Sequence, residues 1–534
     1  MEKIVLLGDE AVALAAVQAG LSAAYSYPGT PASEIMEYLL RLSEGGKNYR
    51  AEWSVNEKVA YEEALGVSFA GKRAMVSFKH VGLNVAADPF INSAITGANG
   101  GLVVVVADDP GMHSSQNEQD SRYYADFARI ICLEPTNHQE AYDMTREAFD
   151  LSERFGIPVM VRLVTRLAHS RSSVEPREPR PQNEGRPYGN AQDWTLLPAN
   201  ARRRFKVLLD HQNSLQEYSE ETNYNQLVLS SKGKKFGVVV SGIAYNYFKE
   251  VSAYLPLEPS YLKVSTYPFP VKKLHQLLPM VDEILVIEEG YPFIERFIRG
   301  VSDISGKTIR GKLDGSLPPS GELTPDLVAK ALGLPERVGL KVTDIKLANR
   351  PPQLCSGCPH IDTYKALNEA LREFPRGNVF SDIGCYTLGA LPPFQAIKTC
   401  VCMGASISMA KGGADAGIYP SVAVIGDSTF AHSGITPLLD AVYSNTNMTV
   451  IILDNGTVAM TGTQPSFGTG EPLDRLLIGL GIDKNHLKVI VPLPRNHQEN
   501  VKIIKEELDY EGISVIIARR ECIQSLGEKK RSPK

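Results

Sequence analysis

The sequence predicts an α/β protein made of three doubly wound parallel-sheet domains. Three observations carry that expectation. Short β-branched runs alternate with helical patterns from the N-terminus to about Ser170. The alternation lapses in a stretch rich in Pro, Arg and Gly and resumes at Lys235. After a second Pro-rich interruption it resumes near Leu354. Strands that alternate with helices pair in parallel and are covered on both faces. The resulting boundaries are 1–175, 235–345 and 346–534, with a linker over 176–234. At ordinary domain size, 534 residues allow about three to four units.

In the first region strands are expected over Ala23–Tyr27, Arg73–Phe78, Leu102–Ala107 and Pro158–Leu163. The run LVVVVA at Leu102–Ala107 is apolar at every position, as a strand buried on both faces must be. Helical patterns over Ala32–Leu42, Asn56–Ala70 and Gln139–Phe155 lie between the strands. Pro28–Gly29 ends a strand, and Thr30–Pro31 opens a helix with Pro in its first turn. The segment RSSVEPREPRPQNEGRPYGNAQDW, starting at Arg171, has no apolar period and reads as a linker wrapped over the surface. The middle region offers strands at Gly237–Val240 and Glu283–Ile287, with a helix over Ala244–Tyr254 between them. Strands of the last region are Ser421–Ile425, Met448–Leu453 and Val515–Ala518. The final residues, GEKKRSPK, read as a frayed basic tail.

Composition narrows the function classes. The chain is 43% hydrophobic and 22% charged, with 56 basic against 61 acidic side chains and a net charge of −5. That balance excludes a polycationic nucleic-acid binder and a disordered chain. The longest apolar runs, Gly101–Ala107 and Val515–Ala518, fall far short of the roughly 18 residues a membrane span needs. The opening MEKIVLLGDE is cut off by Asp9 and Glu10, so it does not read as a signal peptide. Seven cysteines are few for a secreted scaffold, and a reducing, cytoplasmic location is expected.

The densest chemistry lies in GDSTFAHSGITPLLDAVYSNTNMTVIILDNGTVAMTG. One apolar strand delivers Gly426, Asp427 and Ser428 at its C-terminal end, and the next delivers Asp454 and Asn455. In a parallel sheet both ends lie on one rim, where ligands bind. A carboxylate and an amide oxygen there suit a hard divalent ion such as Mg²⁺, with positions left for diphosphate oxygens. Gly426 and Gly456 allow close backbone approach. Separately, Cys355 and Cys358 in LCSGCPH can present two thiolates to one metal centre, and the spacing fits zinc or an iron–sulfur cluster. Four-thiolate ligation needs two more, and Cys385 after a Gly and Cys522 after the last strand could supply them. Cys400 and Cys402 would face opposite ways in an extended segment. Cys132 reads as a small buried hydrophobe.

The first of these patterns resembles the metal–diphosphate motif of thiamine diphosphate enzymes. The resemblance implies that Asp427, Asn455 and the main-chain carbonyl of Thr457 hold Mg²⁺, with Gly426, Ser428 and Gly404 against the cofactor. Ser428 and Asp454 depart from the residues common in that motif. Such enzymes need a carboxylate against the aminopyrimidine ring. WSVNEKVAYEEALGVSFAG resembles their pyrimidine-binding helix, which implies that Glu57 is the activator. Glu62 and Glu63 lie further along that helix and compete for the role, but read as solvated.

Together with the cysteines, this is similar to the 2-oxoacid:ferredoxin oxidoreductases, and within them to the α subunits of indolepyruvate ferredoxin oxidoreductases. SYPGTPASEI, NEKVAYEEALG, KHVGLNVAADP, DDPGMHSSQNEQDSR, LCSGCPH, DIGCYTLG, GDSTFAHSGI and DNGTVAMTGTQP carry the likeness, almost end to end. It implies an N-terminal pyrimidine domain, a C-terminal diphosphate domain and a transketolase C-terminal-like domain between them. It implies oxidation of an aryl-pyruvate with coenzyme A to an aryl-acetyl-CoA and CO2, with electrons leaving through a 4Fe-4S cluster on Cys355, Cys358, Cys385 and Cys522. A non-oxidative 2-oxoacid decarboxylase or carboligase is the alternative, and it would need no cluster. Thr30 matches a substrate-contacting position of pyruvate-oxidising relatives. Lys79, His80 and His113 are candidates for the substrate carboxylate or for proton transfer. Those relatives place an Arg near ADDPG, where Asp108 and Asp109 stand, and a polar Asn where Met460 stands. Both changes are compatible with a larger aromatic substrate. α subunits of this kind usually continue into a ferredoxin-like domain with two more clusters, for which seven cysteines are too few. The expectation is therefore a separate ferredoxin-like subunit or ferredoxin as acceptor, a smaller β subunit of the γ type as partner, and a dimer of heterodimers.

Overall fold

The alternating runs become strands and helices close to the expected places. The computed structural model describes residues 2–46, 48–186, 190–230, 235–335, 339, 348 and 351–526. The expected boundary at 345/346 and the basic tail fall outside the described residues, as do parts of the expected linker. Contacts divide the chain into two units, Met1–Lys341 and Val342–Lys534.

The first unit contains the first two α/β regions. Its larger sheet runs in the order Thr266–Tyr267, Cys132–Leu133, Val159–Val164, Leu102–Asp108, Ala74–Lys79, Ala23–Ser26 and Arg50–Trp53. All neighbours pair in parallel except Thr266–Tyr267, which is antiparallel to Cys132–Leu133. That short strand comes from the middle region, so the two regions share a sheet. The smaller sheet runs Thr308–Arg310, Glu283–Ile287, Phe236–Ser241, Ser260–Val264 and Gln226–Val228, with only the last strand antiparallel.

The stretch read as a linker holds more order than its composition predicts. Its first part does strap the surface: Arg180 N donates to the Gln18 carbonyl at 2.9 Å, and Arg186 N to the Ala70 carbonyl at 2.9 Å. Beyond that, Pro198–Glu221 forms a helix of 24 residues with Pro in its first turn. Its apolar stripe is narrow, with Leu208 and Leu215 buried among otherwise polar residues. A stripe that thin leaves little periodic signal. The buried Asn225 then accepts from Ser265 N at 2.7 Å and Thr266 N at 3.0 Å, which fastens the end of this segment to the core.

Arg122 and Arg162 are fully buried between the two sheets of this unit. Arg162 Nε donates to Asp108 at 2.7 Å, and its Nη1 to Glu134. Arg122 pairs with Asp120 and, at 3.0 Å, with Glu288. It also donates to the carbonyls of Glu289 at 2.9 Å and Tyr291 at 3.1 Å. Burial pushes the carboxyl groups of Asp108 and Glu288 up. Burial would raise Asp120 too, but Arg122 and Arg162 hold it down to about 2.

The second unit is a five-stranded, fully parallel sheet in the order Asn378–Ser381, Ser421–Gly426, Met448–Asp454, Ile513–Arg519 and Leu487–Ile490. Alternate residues of its second strand enter opposite cores: Val422 and Val424 pack with Tyr364 and Leu367, Ala423 and Ile425 with Ile407 and Leu438. That is the two-faced burial of a parallel sheet. Among the described residues no helix is long and apolar enough to cross a membrane.

Removing one arginine from the buried group strands carboxylates in a dry environment. Arg162→Met should cost about 3–5 kcal/mol in the first unit. Arg310→Met, which breaks the half-exposed pair with Glu283, should cost under about 1 kcal/mol. Thermal unfolding of the two variants checks this, and equal shifts would refute the asymmetry.

Candidate active site

In the second unit the C-terminal ends of three neighbouring strands carry Asp382, Asp427 and the pair Asp454–Asn455. Asp427 opens a helical turn directly after its strand and is 2% exposed. Gly456 N donates to its Oδ2 at 3.0 Å. Burial, then the charge of Asp454, pushes its carboxyl up to about 7. The two carboxylates are not equivalent. Asp454 accepts from Arg519 Nε at 2.7 Å, from Gly470 N at 3.1 Å and from the Thr469 hydroxyl. Among the described residues no arginine or lysine pairs with Asp427. Asn455 Oδ1 accepts from Thr457 N at 3.1 Å, which folds the chain back over the strand end. A buried carboxylate beside an amide oxygen, with no cation of its own, is a donor set that fits a hard divalent ion.

Gly404, Gly426 and Ser428 fall on the same rim. Gly404 takes φ +83°, and a Cβ there would lie 2.5 Å from Ser433 Cβ. It starts the helix Ala405–Asp415 against the segment that follows Asp427. A Cβ on Gly426 would lie 2.6 Å from the Tyr386 ring. Ser428 is buried beside Asp427. Three residues here are not singled out as site residues from the sequence. Asp382, fully buried, accepts from Ser406 N at 3.1 Å and from the hydroxyls of Ser406 and Tyr386. Burial pushes it up to about 6. Gly468 carries no side chain where a Cβ would lie 2.7 Å from the Asp427 carbonyl oxygen. Arg520 braces the cysteine loop: Nη1 donates to Asp362 at 3.2 Å and Nη2 to the Gly357 carbonyl at 3.4 Å.

Cys355, Cys358, Cys385 and Cys522 come from three separate stretches, and together they act on the thiols of Cys358 and Cys385. Burial first, then Cys355 and Cys522, pushes Cys358 up to about 11. Burial first, then Cys358, Cys522 and Cys355, pushes Cys385 up to about 12. All seven cysteines are free thiols. Cys358 and Cys385, whose thiols are held protonated by burial and by the cysteines around them, suit a cationic centre that stabilises thiolates, so the residues fit a four-cysteine cluster. Cys522 N donates to the Asn455 carbonyl at 3.1 Å, which joins this group to the acidic rim. Cys400 and Cys402 are both exposed, and Cys132 is buried as expected.

In the first unit Glu57 begins the helix Glu57–Phe69, capped by Asn56, whose side chain accepts from Val59 N at 2.9 Å. It is 7% exposed and packs on Gly82, where a Cβ would lie 2.6 Å from its Oε1. Glu62 and Glu63 are exposed. Lys79 ends the strand Ala74–Lys79, buried, and its Nζ donates to the Ser114 carbonyl at 2.5 Å. Burial, partly offset by Asp109, lowers its pKa to about 8. His80 follows it, 1% exposed, with Nδ1 unpartnered and Nε2 at 3.3 Å from the Asn117 carbonyl. The Ser114 hydroxyl also donates to the Thr30 carbonyl at 3.2 Å, so Thr30 and Lys79 share one loop as neighbour. His113 stands apart from them: its side chain is 57% exposed and pairs with Glu322 at 3.3 Å. Asp108 holds Arg162. Asp109 accepts from Ser114 N, the Ser115 hydroxyl and the Thr165 hydroxyl, and so shapes the loop over the rim.

Known proteins resemble the chain in both sequence and fold. Residues 14–223 match the family model described as pyruvate flavodoxin/ferredoxin oxidoreductase, thiamine diphosphate-binding. Residues 382–489 match that of the thiamine pyrophosphate enzyme C-terminal TPP binding domain. The chain is 39% identical to the indolepyruvate oxidoreductase subunit IorA of Archaeoglobus fulgidus, across 98% of this chain and 86% of that one. It is 38% identical to the subunit IorA of Methanothermobacter thermautotrophicus, across 100% and 89%. A solved 2-oxoglutarate:ferredoxin oxidoreductase from Magnetococcus marinus shares the fold over 62% of this chain and 65% of that one, with a TM-score of 0.51 at 17% identity.

The close approach at Gly468 is testable. Gly468→Ala should lower the melting temperature of the second unit, by the equivalent of about 1–3 kcal/mol. Gly412→Ala, in a helix with nothing within 4 Å of the new Cβ, should raise it by up to about 1 kcal/mol. Differential scanning calorimetry separates the two signs.

Proposed function

The chain belongs to the family of the indolepyruvate oxidoreductase subunit IorA, and from that premise we propose that it catalyses the oxidative decarboxylation of an aryl-pyruvate. Membership makes it a subunit of a thiamine diphosphate-dependent 2-oxoacid:ferredoxin oxidoreductase. The proposed reaction converts the 2-oxoacid and coenzyme A to an aryl-acetyl-CoA, CO2, a proton and two electrons. The observation that supports this reading is the bond from Cys522 N to the Asn455 carbonyl, which ties one of the four candidate cluster cysteines to the acidic rim. A non-oxidative decarboxylase would have no use for that arrangement.

Asp427, Asn455 and the Thr457 carbonyl would hold Mg²⁺, and Gly404, Gly426 and Ser428 would flank the diphosphate. Loss of the proton from Asp427, held near 7 by burial and Asp454, accompanies ion binding. Bound thiamine diphosphate supplies an electron sink for decarboxylation. A 4Fe-4S cluster on Cys355, Cys358, Cys385 and Cys522 supplies a one-electron acceptor. Glu57 is the proton-holding carboxyl for the aminopyrimidine, kept in place by its cap and by Gly82. Lys79 Nζ offers positive charge to the substrate carboxylate, with Thr30 lining the same loop. His80 keeps an unpartnered Nδ1 for proton transfer. His113, exposed and paired with Glu322, is the weakest candidate for a chemical role. Electrons pass to ferredoxin or a separate ferredoxin-like subunit, and a smaller β subunit of the γ type completes a dimer of heterodimers.

Anaerobic purification with the small subunit, followed by iron and sulfide analysis, tests the cluster. Turnover with indolepyruvate, phenylpyruvate, pyruvate or 2-oxoglutarate, with and without CoA, tests the reaction. Finding no iron, or rates indifferent to CoA, would sink the reading. Glu57→Gln should lower kcat at least about 100-fold with the fold retained. Lys79 is charged below about 8, so KM for the 2-oxoacid should rise as pH climbs through that value. Lys79→Arg stays charged and should flatten the KM profile.

A further inference from the structure

One group of side chains outside these sites has the chemistry and spacing of ligands and no role so far. Asp9 lies in the first turn of the helix Gly8–Gln18, Glu34 in the first turn of Ser33–Glu44, and His169 ends Thr165–His169. One ligand atom from each lies within 4.8 Å of the other two, and among the described residues this is the one such group. Gly8 makes the approach possible, since a Cβ there would lie 2.2 Å from the Leu167 carbonyl oxygen.

Asp9 is fully buried, and neither of its carboxylate oxygens has a hydrogen-bond partner. Buried carboxylates are normally paired with a cation or bound to a metal. The charges around Asp9 are those of Glu34, Glu10 and Glu37, all of its own sign. The nearby arginines are engaged elsewhere: Arg41 pairs with Glu10 at 3.0 Å, and Arg171 approaches Glu10 at 3.9 Å. Glu34 Oε2 stands 3.3 Å from His169 Nε2. Two ligands at about 2.1 Å from one ion stand roughly 3.0–3.4 Å apart in octahedral or tetrahedral geometry. These two are therefore already at ligand spacing. Their side chains are 32% and 33% exposed, which gives an ion a way in from solvent.

We propose that Asp9, Glu34 and His169 bind one divalent first-row transition cation, of the Mn²⁺ or Zn²⁺ class. Two carboxylates and a neutral imidazole present two negative charges and a mixed oxygen and nitrogen set, which such ions accept. The ion braces the substrate rim from behind. Ser33, adjacent to Glu34, accepts from Gly29 N at 2.9 Å and so holds the turn that carries Thr30. Thr165 starts the helix that His169 ends, and donates to Asp109 at 2.9 Å.

The test is a titration of the full chain, stripped with chelator and free of thiamine diphosphate, with Mn²⁺. Bound ion is counted by electron paramagnetic resonance. Mn²⁺ prefers oxygen and nitrogen to thiolate, which keeps the cysteines out of the count. The expected result is a site whose affinity falls at least about tenfold in His169→Gln and in Glu34→Gln. The same site should persist in Asp427→Asn. Circular dichroism confirms the fold of each variant, which the partial exposure of His169 and Glu34 favours. No bound Mn²⁺, or binding that both variants leave intact, would overturn the site and leave a protonated Asp9 beside a Glu34–His169 ion pair as the explanation.

Discussion

The first unit depends on two buried guanidinium groups. Arg122 and Arg162 have no access to solvent, and each reaches both sheets of the unit. They are surrounded by Asp108, Asp120, Glu134 and Glu288, so neither side of the network is tolerable without the other. Asp108 ends its strand in the segment where the resemblance leads one to expect an arginine in pyruvate-oxidising relatives. Here that carboxylate is spent on Arg162, and its neighbour Asp109 is spent on the loop from Ser114. A buried lysine at the next strand end, Lys79, is left as the cation near that loop.

Chemistry in both units sits on the same kind of edge. Lys79, Asp108, Asp382, Asp427 and Asp454 all stand at or just beyond the C-terminal end of a parallel strand. Parallel pairing makes this inevitable, because every strand ends on one side and every crossover starts there. The close approaches on these rims are made by residues without side chains. At Gly82 beside Glu57 and at Gly468 beside Asp427, a single added methyl group would collide with its neighbour.

Much of this was legible in the residues before any coordinates. Asp427 and Asn455, and the pair Cys355 and Cys358, sit in short patterns whose residue types and spacing suit ligands, whereas Glu57 is singled out by the likeness of its helix to a pyrimidine-binding one. Other features were not legible, each for a physical reason. The helix Pro198–Glu221 buries so thin a stripe that its sequence looks like a linker. Asp382 becomes a hub only because Ser406 and Tyr386 converge on it from different elements. Gly468 is unremarkable until the Asp427 carbonyl is seen above it.

The sequence by itself determined the fold class, the periodicity of the strands and which strand ends would carry polar groups, because these follow from local pattern and from the pairing rules of α/β sheets. Tertiary structure alone decided which charges face each other. Asp9, Glu34 and His169 lie far apart in the sequence and share no motif. Only the packing of three helices brings their ligand atoms within 4.8 Å, with Asp9 sealed from water. Burial and neighbouring charge are properties of the assembled fold, and they give a carboxylate its chemistry.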